Sequence, residues 1–180
     1  REASYRTDRS QMARSETQLS VAQHAEIMSE LKGLKRFCLS LAGSEADADD
    51  LLQGTVERLL ERGIPEDAHT ARWAYRVCKN LWIDELRSRE VRMRHASSVA
   101  QHGEALDIAP SAEAQSAGER QLAAVNAALL RLPEEQRMAL VLVTVEGKSY
   151  AEAAEILEVP IGTIMSRIAR ARKHLLPALD

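Results

Sequence analysis

Proline and glycine are scarce in this chain, at five and eight of 180 residues, and the aromatic content is 3%. Each shortage excludes something. With so few turn formers, and almost no alternation of β-branched with polar residues, no strand can be proposed. The two cysteines, Cys38 and Cys78, each lie on an apolar helical stripe, with no second cysteine or histidine at metal-ligand spacing, and read as small core residues. A Gly-rich phosphate loop, a nucleophile elbow and a His-Glu metal motif are all missing, so an enzyme would have no visible site and no cofactor or metal is expected. No run is apolar for long enough to enter a membrane and no signal peptide is visible, which makes the cytoplasm the expected compartment.

What remains is a helix-forming composition. Hydrophobic residues make up 45% and charged residues 28%, as in ordinary globular proteins, and Ala, Leu, Glu and Arg dominate. The length suits one domain or two small ones. The net charge of −3 conceals a segregation of sign. Between Glu45 and Glu61 six acids face one base, whereas Arg72 to Arg94 holds seven bases and three acids. Such a chain suits a cationic protein and a polyanion together.

The most informative stretch is Lys148 to Leu176. Ser149 and Glu152 have capping-box spacing, which fixes a helix start, and Val159-Pro160 ends that helix before a second begins near Ile161. On the second helix Ile161, Ile164, Ile168, Ala171 and Leu175 recur at helical steps and form one apolar stripe. Thr163, Ser166, Arg167, Arg170, Lys173 and His174 fall on the opposite face, and the helix carries four cations and no acid. This is a helix-turn-helix pattern, whose second helix suits the major groove, with Arg able to read guanine and short hydroxyl side chains able to meet bases or phosphates. The plainer reading is a solvated basic helix end that favours the helix dipole.

Toward the N-terminus, residues 1–21 are polar and aperiodic and are expected to form a mobile extension. An N-terminal helical domain is expected over residues 22–95. Ile27, Leu31, Leu34, Cys38 and Leu41 form its first stripe, with Gly43 as a stop. Ser44 and Asp47 then open an acid-started helix on which Ala48, Leu52, Thr55 or Val56, and Leu59 face inward. Asp50, Gln53 and Glu57 share another face and form a candidate docking stripe, the alternative being a solvated one. The following helix interleaves Trp73, Tyr75 and Trp82 with Arg72, Arg76 and Lys79, a combination suited to single-stranded DNA. Trp73 reads as core, whereas Tyr75 and Trp82 are open to either role. Asn80, Asp84 and Arg87 add a polar stripe. Residues 96–117 lose the stripe and read as a linker. Residues 118–180 restart it with Leu122, Val125, Leu129 and Leu132, and Pro133 opens the helix that should pack on the helix-turn-helix. The fold class is therefore all-α, with two small helical domains on a flexible linker.

Three motifs carry a family resemblance: DADDLLQGTVERLLER from Asp47, WAYRVCKNLWIDELRSR from Trp73, and the stretch from Leu132 through the helix-turn-helix. Over roughly Ile27 to Leu176 the chain resembles a bacterial alternative sigma factor of the extracytoplasmic-function group. That resemblance implies a non-enzymatic specificity factor for core RNA polymerase, held in many cases by an anti-sigma factor. Asp50 and Gln53 would meet the polymerase clamp. The Arg72 to Arg89 helix would read and open the melted minus-ten element, and Thr163, Ser166, Arg167 and Arg170 would face the duplex minus-thirty-five element. The chain departs from the family pattern at Gly54, where an acid is usual, at Met165, where Lys is frequent, and at Glu158, where Gly is common in the turn. A sigma-like mimic that sequesters an anti-sigma factor would keep the fold but lose the basic faces. A free-standing helix-turn-helix regulator would leave the Asp50 stripe without a role.

Overall fold

In the computed structural model, residues 19–97 and 117–176 are described, and their regular structure is entirely helical. The helices run α1 Val21–Ala42, α2 Glu45–Arg62, α3 Thr70–Ser97, α4 Ala117–Leu130, α5 Glu134–Thr144, α6 Tyr150–Leu157 and α7 Ile161–Leu175. Residues 1–18, most of the expected extension, and residues 98–116, most of the expected linker, lie outside the described residues. No described helix is long and apolar enough to cross a membrane.

Ser20 and Gln23 form a capping box at the head of α1, and Leu19 is buried against the core. Gly43 ends α1 at φ 79°, a left-handed position that glycine occupies without strain. One residue on, the Ser44 side chain accepts from the Asp47 backbone N–H, so α2 doubles back on α1 almost at once.

The helices α1, α2 and α3 pack on one another, as do α5, α6 and α7. In the first group Phe37 meets Tyr75 edge-on with ring centroids 5.5 Å apart, and the buried Cys38 and Cys78 sulfurs approach to 3.4 Å. The hydrogen bond with Cys38 and burial both raise the Cys78 thiol well above its ordinary range, so Cys78 is an inert core group. The stripe of α2 is Ala48, Leu51, Thr55 and Leu59; Leu52, expected inside, is only partly buried. In the second group Ile164, Ile168 and Ala171 of α7 are buried. Ile161, expected to head that stripe, is the first residue of the helix and is 45% exposed.

The two groups also touch. Helix α6 lies against α3, and α5 against α1, so the buried apolar residues form one connected cluster. Arg137 of α5 is buried and reaches both halves: it donates to the Leu130 carbonyl at 2.9 Å and to the Leu41 carbonyl at 3.2 Å. Its remaining charge is met by Glu134 at 2.5 Å. An arginine buried between backbone carbonyls and one carboxylate fixes geometry, since removing Glu134 would leave its charge unpaired.

Candidate nucleic-acid interface

The turn between α6 and α7 sets the direction of the second helix. The expected capping box is present, with the Ser149 backbone N–H donating to Glu152 at 2.8 Å and the Ser149 side chain accepting from the Glu152 N–H at 3.2 Å. Glu158 follows α6 at φ 58°, ψ 44°, a left-handed conformation that costs a non-glycine residue about 1–2 kcal/mol. Pro160 then accepts the N–H of Thr163 and α7 begins.

The outward face of α7 is cationic. Arg170 and Lys173 are exposed, Thr163 and Ser166 are half-buried, and the Ser166 hydroxyl donates to the Thr163 carbonyl at 3.0 Å. Arg167 is more enclosed than its position suggests, because it pairs with Glu135 of α5 at 2.5 Å. Met165 is 51% exposed in the middle of this face. The helix thus has a buried side and a polar, positively charged side.

On α2, Asp50, Gln53 and Glu57 are exposed together, and the Gln53 amide donates to Glu57 at 2.8 Å. The face they form is open, acidic and remote from the apolar stripe.

Helix α3 is placed differently from expectation. Tyr75 and Trp82, the aromatics considered for base stacking, are buried. The Tyr75 hydroxyl donates to Glu146 at 3.2 Å and the Trp82 indole N–H donates to Glu134 at 3.1 Å. Burial and the Glu146 charge raise the Tyr75 phenol far above its ordinary value, so it is a neutral donor at any working pH. Neither ring presents a face to a base in this arrangement. Trp73, read as core, is partly buried against the core and also lines an open cleft of about 650 Å³ between α2, the following loop and α3, together with Arg58, Arg62, Val77 and Asn80. The Arg76 guanidinium lies 5.5 Å from the Trp73 ring centroid. The helical period groups Trp73 with Val77 and Leu81, and that was the signal for burial. It does not show that residues 63–66 of the loop after α2 line a cleft together with them.

The cations of α3 are also occupied. Arg72 pairs with Glu155 at 2.6 Å and with Glu152 at 3.6 Å, and Arg76 donates to the Glu155 carbonyl at 2.8 Å. Lys79, its side chain 7% exposed, donates to Glu158 at 2.6 Å. That bond holds the Glu158 carboxyl below its ordinary range. Asn80 and Arg87 remain exposed, Arg87 lying 3.6 Å from Asp84. Sequence reading gave no role to Glu146, Glu152, Glu155 or Glu158 as partners of α3, since pairs separated by 70 or more positions leave no local periodic signal.

A helix-turn-helix with a cationic outer face, carried beside a three-helix unit with an acidic stripe and a second cationic helix, defines a DNA-binding protein built for more than one macromolecule. The comparisons specify the class. Residues 27–92 match the family described as Sigma-70 region 2, and residues 122–175 that described as Sigma-70, region 4. The chain is 33% identical over 152 residues to the ECF RNA polymerase sigma factor EcfG of Rhodopseudomonas palustris, covering 83% of this chain and 81% of that one. It is 35% identical over 145 residues to SigM of Mycobacterium tuberculosis, an ECF sigma factor, covering 79% of this chain and 69% of the relative. Among solved structures, the sigma factor RpoE of Bartonella quintana, crystallised with the anti-sigma factor NepR, superposes with a TM-score of 0.67 at 27% identity, covering 87% of this chain and 95% of the other. The chain belongs to the ECF family of RNA polymerase sigma factors. It is a transcription initiation factor, directing polymerase to promoters, and not an enzyme.

Proposed function

We propose that this sigma factor divides promoter recognition between its two helical domains and docks on core polymerase through α2. The N-terminal domain is assigned to residues 22–95 and the C-terminal one to residues 118–180. Asp50, Gln53 and Glu57 form the polymerase-docking face. The cations of α3, Arg72, Arg76, Lys79 and Arg87, serve the melted downstream element, with Asn80 and the cleft beside it admitting a base. On α7, Thr163, Ser166, Arg167, Arg170 and Lys173 face the duplex upstream element. Arg167 reads a base edge once Glu135 releases it, and Arg170 and Lys173 meet phosphates.

The observation that carries this reading is the two-sidedness of α7: Ile164, Ile168 and Ala171 are buried while Arg170 and Lys173 stand in solvent. The same faces speak against a mimic that has given up DNA. As the Bartonella relative does with NepR, this chain is proposed to bind an anti-sigma factor, and its place of action is the cytoplasm.

Run-off transcription with core polymerase on genomic promoter fragments tests the assignment. Asp50→Arg combined with Gln53→Arg should abolish assembly with core enzyme while far-ultraviolet dichroism stays unchanged. Arg170→Ala should weaken all promoters alike and lower the slope of log affinity against log salt by about one unit. Unchanged core binding in the first variant would remove α2 from docking.

A further inference from the structure

Helix α7 carries two apolar stripes, and only one of them is buried. Ile164, Ile168 and Ala171 pack on the core. Ile161, Met165 and Ala169 recur at steps of four along the outside of the same helix, Ile161 and Met165 being 45% and 51% exposed and Ala169 exposed beside them. Single exposed apolar side chains are ordinary, but three in one helical row form a ridge. Neither Ile161 nor Met165 belongs to the apolar cluster of the core. Gly162 lies next to the ridge, and a Cβ there would meet no atom within 4 Å. The protein's own packing thus gives no reason for the missing methyl group, which instead suits close approach by a bound surface.

The surroundings of the ridge specify that surface. From Ile161 to Leu176 the chain holds four cations and no acid. Among the described residues Arg167 is paired, to Glu135, while Arg170, Arg172 and Lys173 stand exposed without an acidic partner. A fitting partner presents negative charge on either side of small apolar projections. Duplex DNA does so in its major groove, which admits an α-helix: phosphates border the groove, and the C5-methyl of thymine is the apolar group on its base edges. The ridge is one side chain wide and is bordered by Ser166 and Arg170, whereas a helix face that packs on protein shows a broader apolar stripe. Methionine suits the contact, because its unbranched, polarisable side chain adapts to an apolar group whose position the base pair fixes.

We propose that Met165 is a specificity-determining residue whose side chain lies against the C5-methyl of a thymine in the upstream element, with Ala169 one turn further along the groove; this rests on the reading of α7 as the helix that faces the upstream duplex. A lysine at this position would seek a phosphate or a guanine edge. Methionine in its place exchanges a charge contact for methyl readout, so the factor demands a T·A pair at a position where a lysine would tolerate others.

The test uses the full-length factor assembled with core polymerase. Duplexes with a randomised upstream window and a constant downstream region are selected for binding. Each thymine of the selected element is then replaced in turn by deoxyuridine, which removes the methyl group and keeps the base pairing. At one thymine, or at two close together, the replacement should weaken binding by wild type about fourfold, the worth of one buried methyl-sized group. Met165→Leu should keep that loss, and Arg170→Ala should bind more weakly overall but keep it too. Met165→Ala and Met165→Lys should bind the thymine and deoxyuridine duplexes alike, the lysine variant with a salt slope steeper by about one unit. Selection of no upstream sequence would overturn the reading of α7 and methyl readout with it. A selected element that lacks thymine, or whose thymines all tolerate deoxyuridine, would overturn methyl readout alone and leave the ridge to a protein contact. A methyl effect undiminished in Met165→Ala would equally remove Met165 from base recognition.

Discussion

Gly33 shows how much one missing methyl group can carry. In a helix interior alanine is favoured over glycine by about 1 kcal/mol, but here the added carbon would sit inside contact distance of two oxygens, Tyr75 Oη and Glu146 Oε2. Overpacking of this kind costs about 1–3 kcal/mol, so the clash outweighs the propensity. Gly33→Ala is therefore expected to lower stability by about 1 kcal/mol, measured from the urea midpoint at unchanged slope. A midpoint at or above wild type would show that Tyr75 can yield. The sequence could not reveal this, since Gly33 falls within a helical stripe and its crowding comes from residues 42 and 113 positions away. The aromatic residues teach the same lesson in reverse. Trp73, Tyr75 and Trp82 are equally visible as interleaved with cations, but Tyr75 and Trp82 find their hydrogen-bond partners in Glu146 and Glu134, contributed by distant segments.

At the level of elements, the boundaries were the most legible part. Ser44, Gly43, Ser149 and Pro160 act within three or four residues of themselves, and each stands at the helix end its chemistry predicts. The short helix α6 depends most on such local help, having only eight residues. The Ser149 backbone N–H and hydroxyl hold the Glu152 carboxyl below its ordinary range. Ser149→Ala should cost about 1 kcal/mol and lower the melting temperature by about 4–8 °C, read by calorimetry. A melting temperature within a degree or so of wild type would show that packing, not the cap, determines α6. Ile161 departs from its stripe at the helix's first residue, where periodicity alone does not fix burial.

For the molecule as a whole, the contact between halves has a pH signature. Glu158 sits below its ordinary value of 4.5 because Lys79 donates to it, with Arg76 contributing charge, and on separation it would return to that value. Its favourable contribution to closure is thus fully present above the ordinary value and is lost as pH falls through the lower value of the closed form. Acidification from neutrality should expand the chain, followed by scattering, while helical dichroism persists. Loss of helix before expansion would place the acid transition inside the domains. Salt should act in the same direction by screening the exposed pairs Arg72–Glu155 and Arg76–Glu158.

The pocket that Gly33 makes for Glu146 also bears on how freely such a protein can be recombined. Each half carries one side of a fitted joint: a glycine, an arginine and a tyrosine on the first, a single carboxylate on the second. Grafting the helix-turn-helix half of a relative with no acid at position 146 would produce a hybrid in which both halves fold and the joint does not form. Choice of the upstream element would transfer with the graft, and the joint that ties it to the first half would be lost.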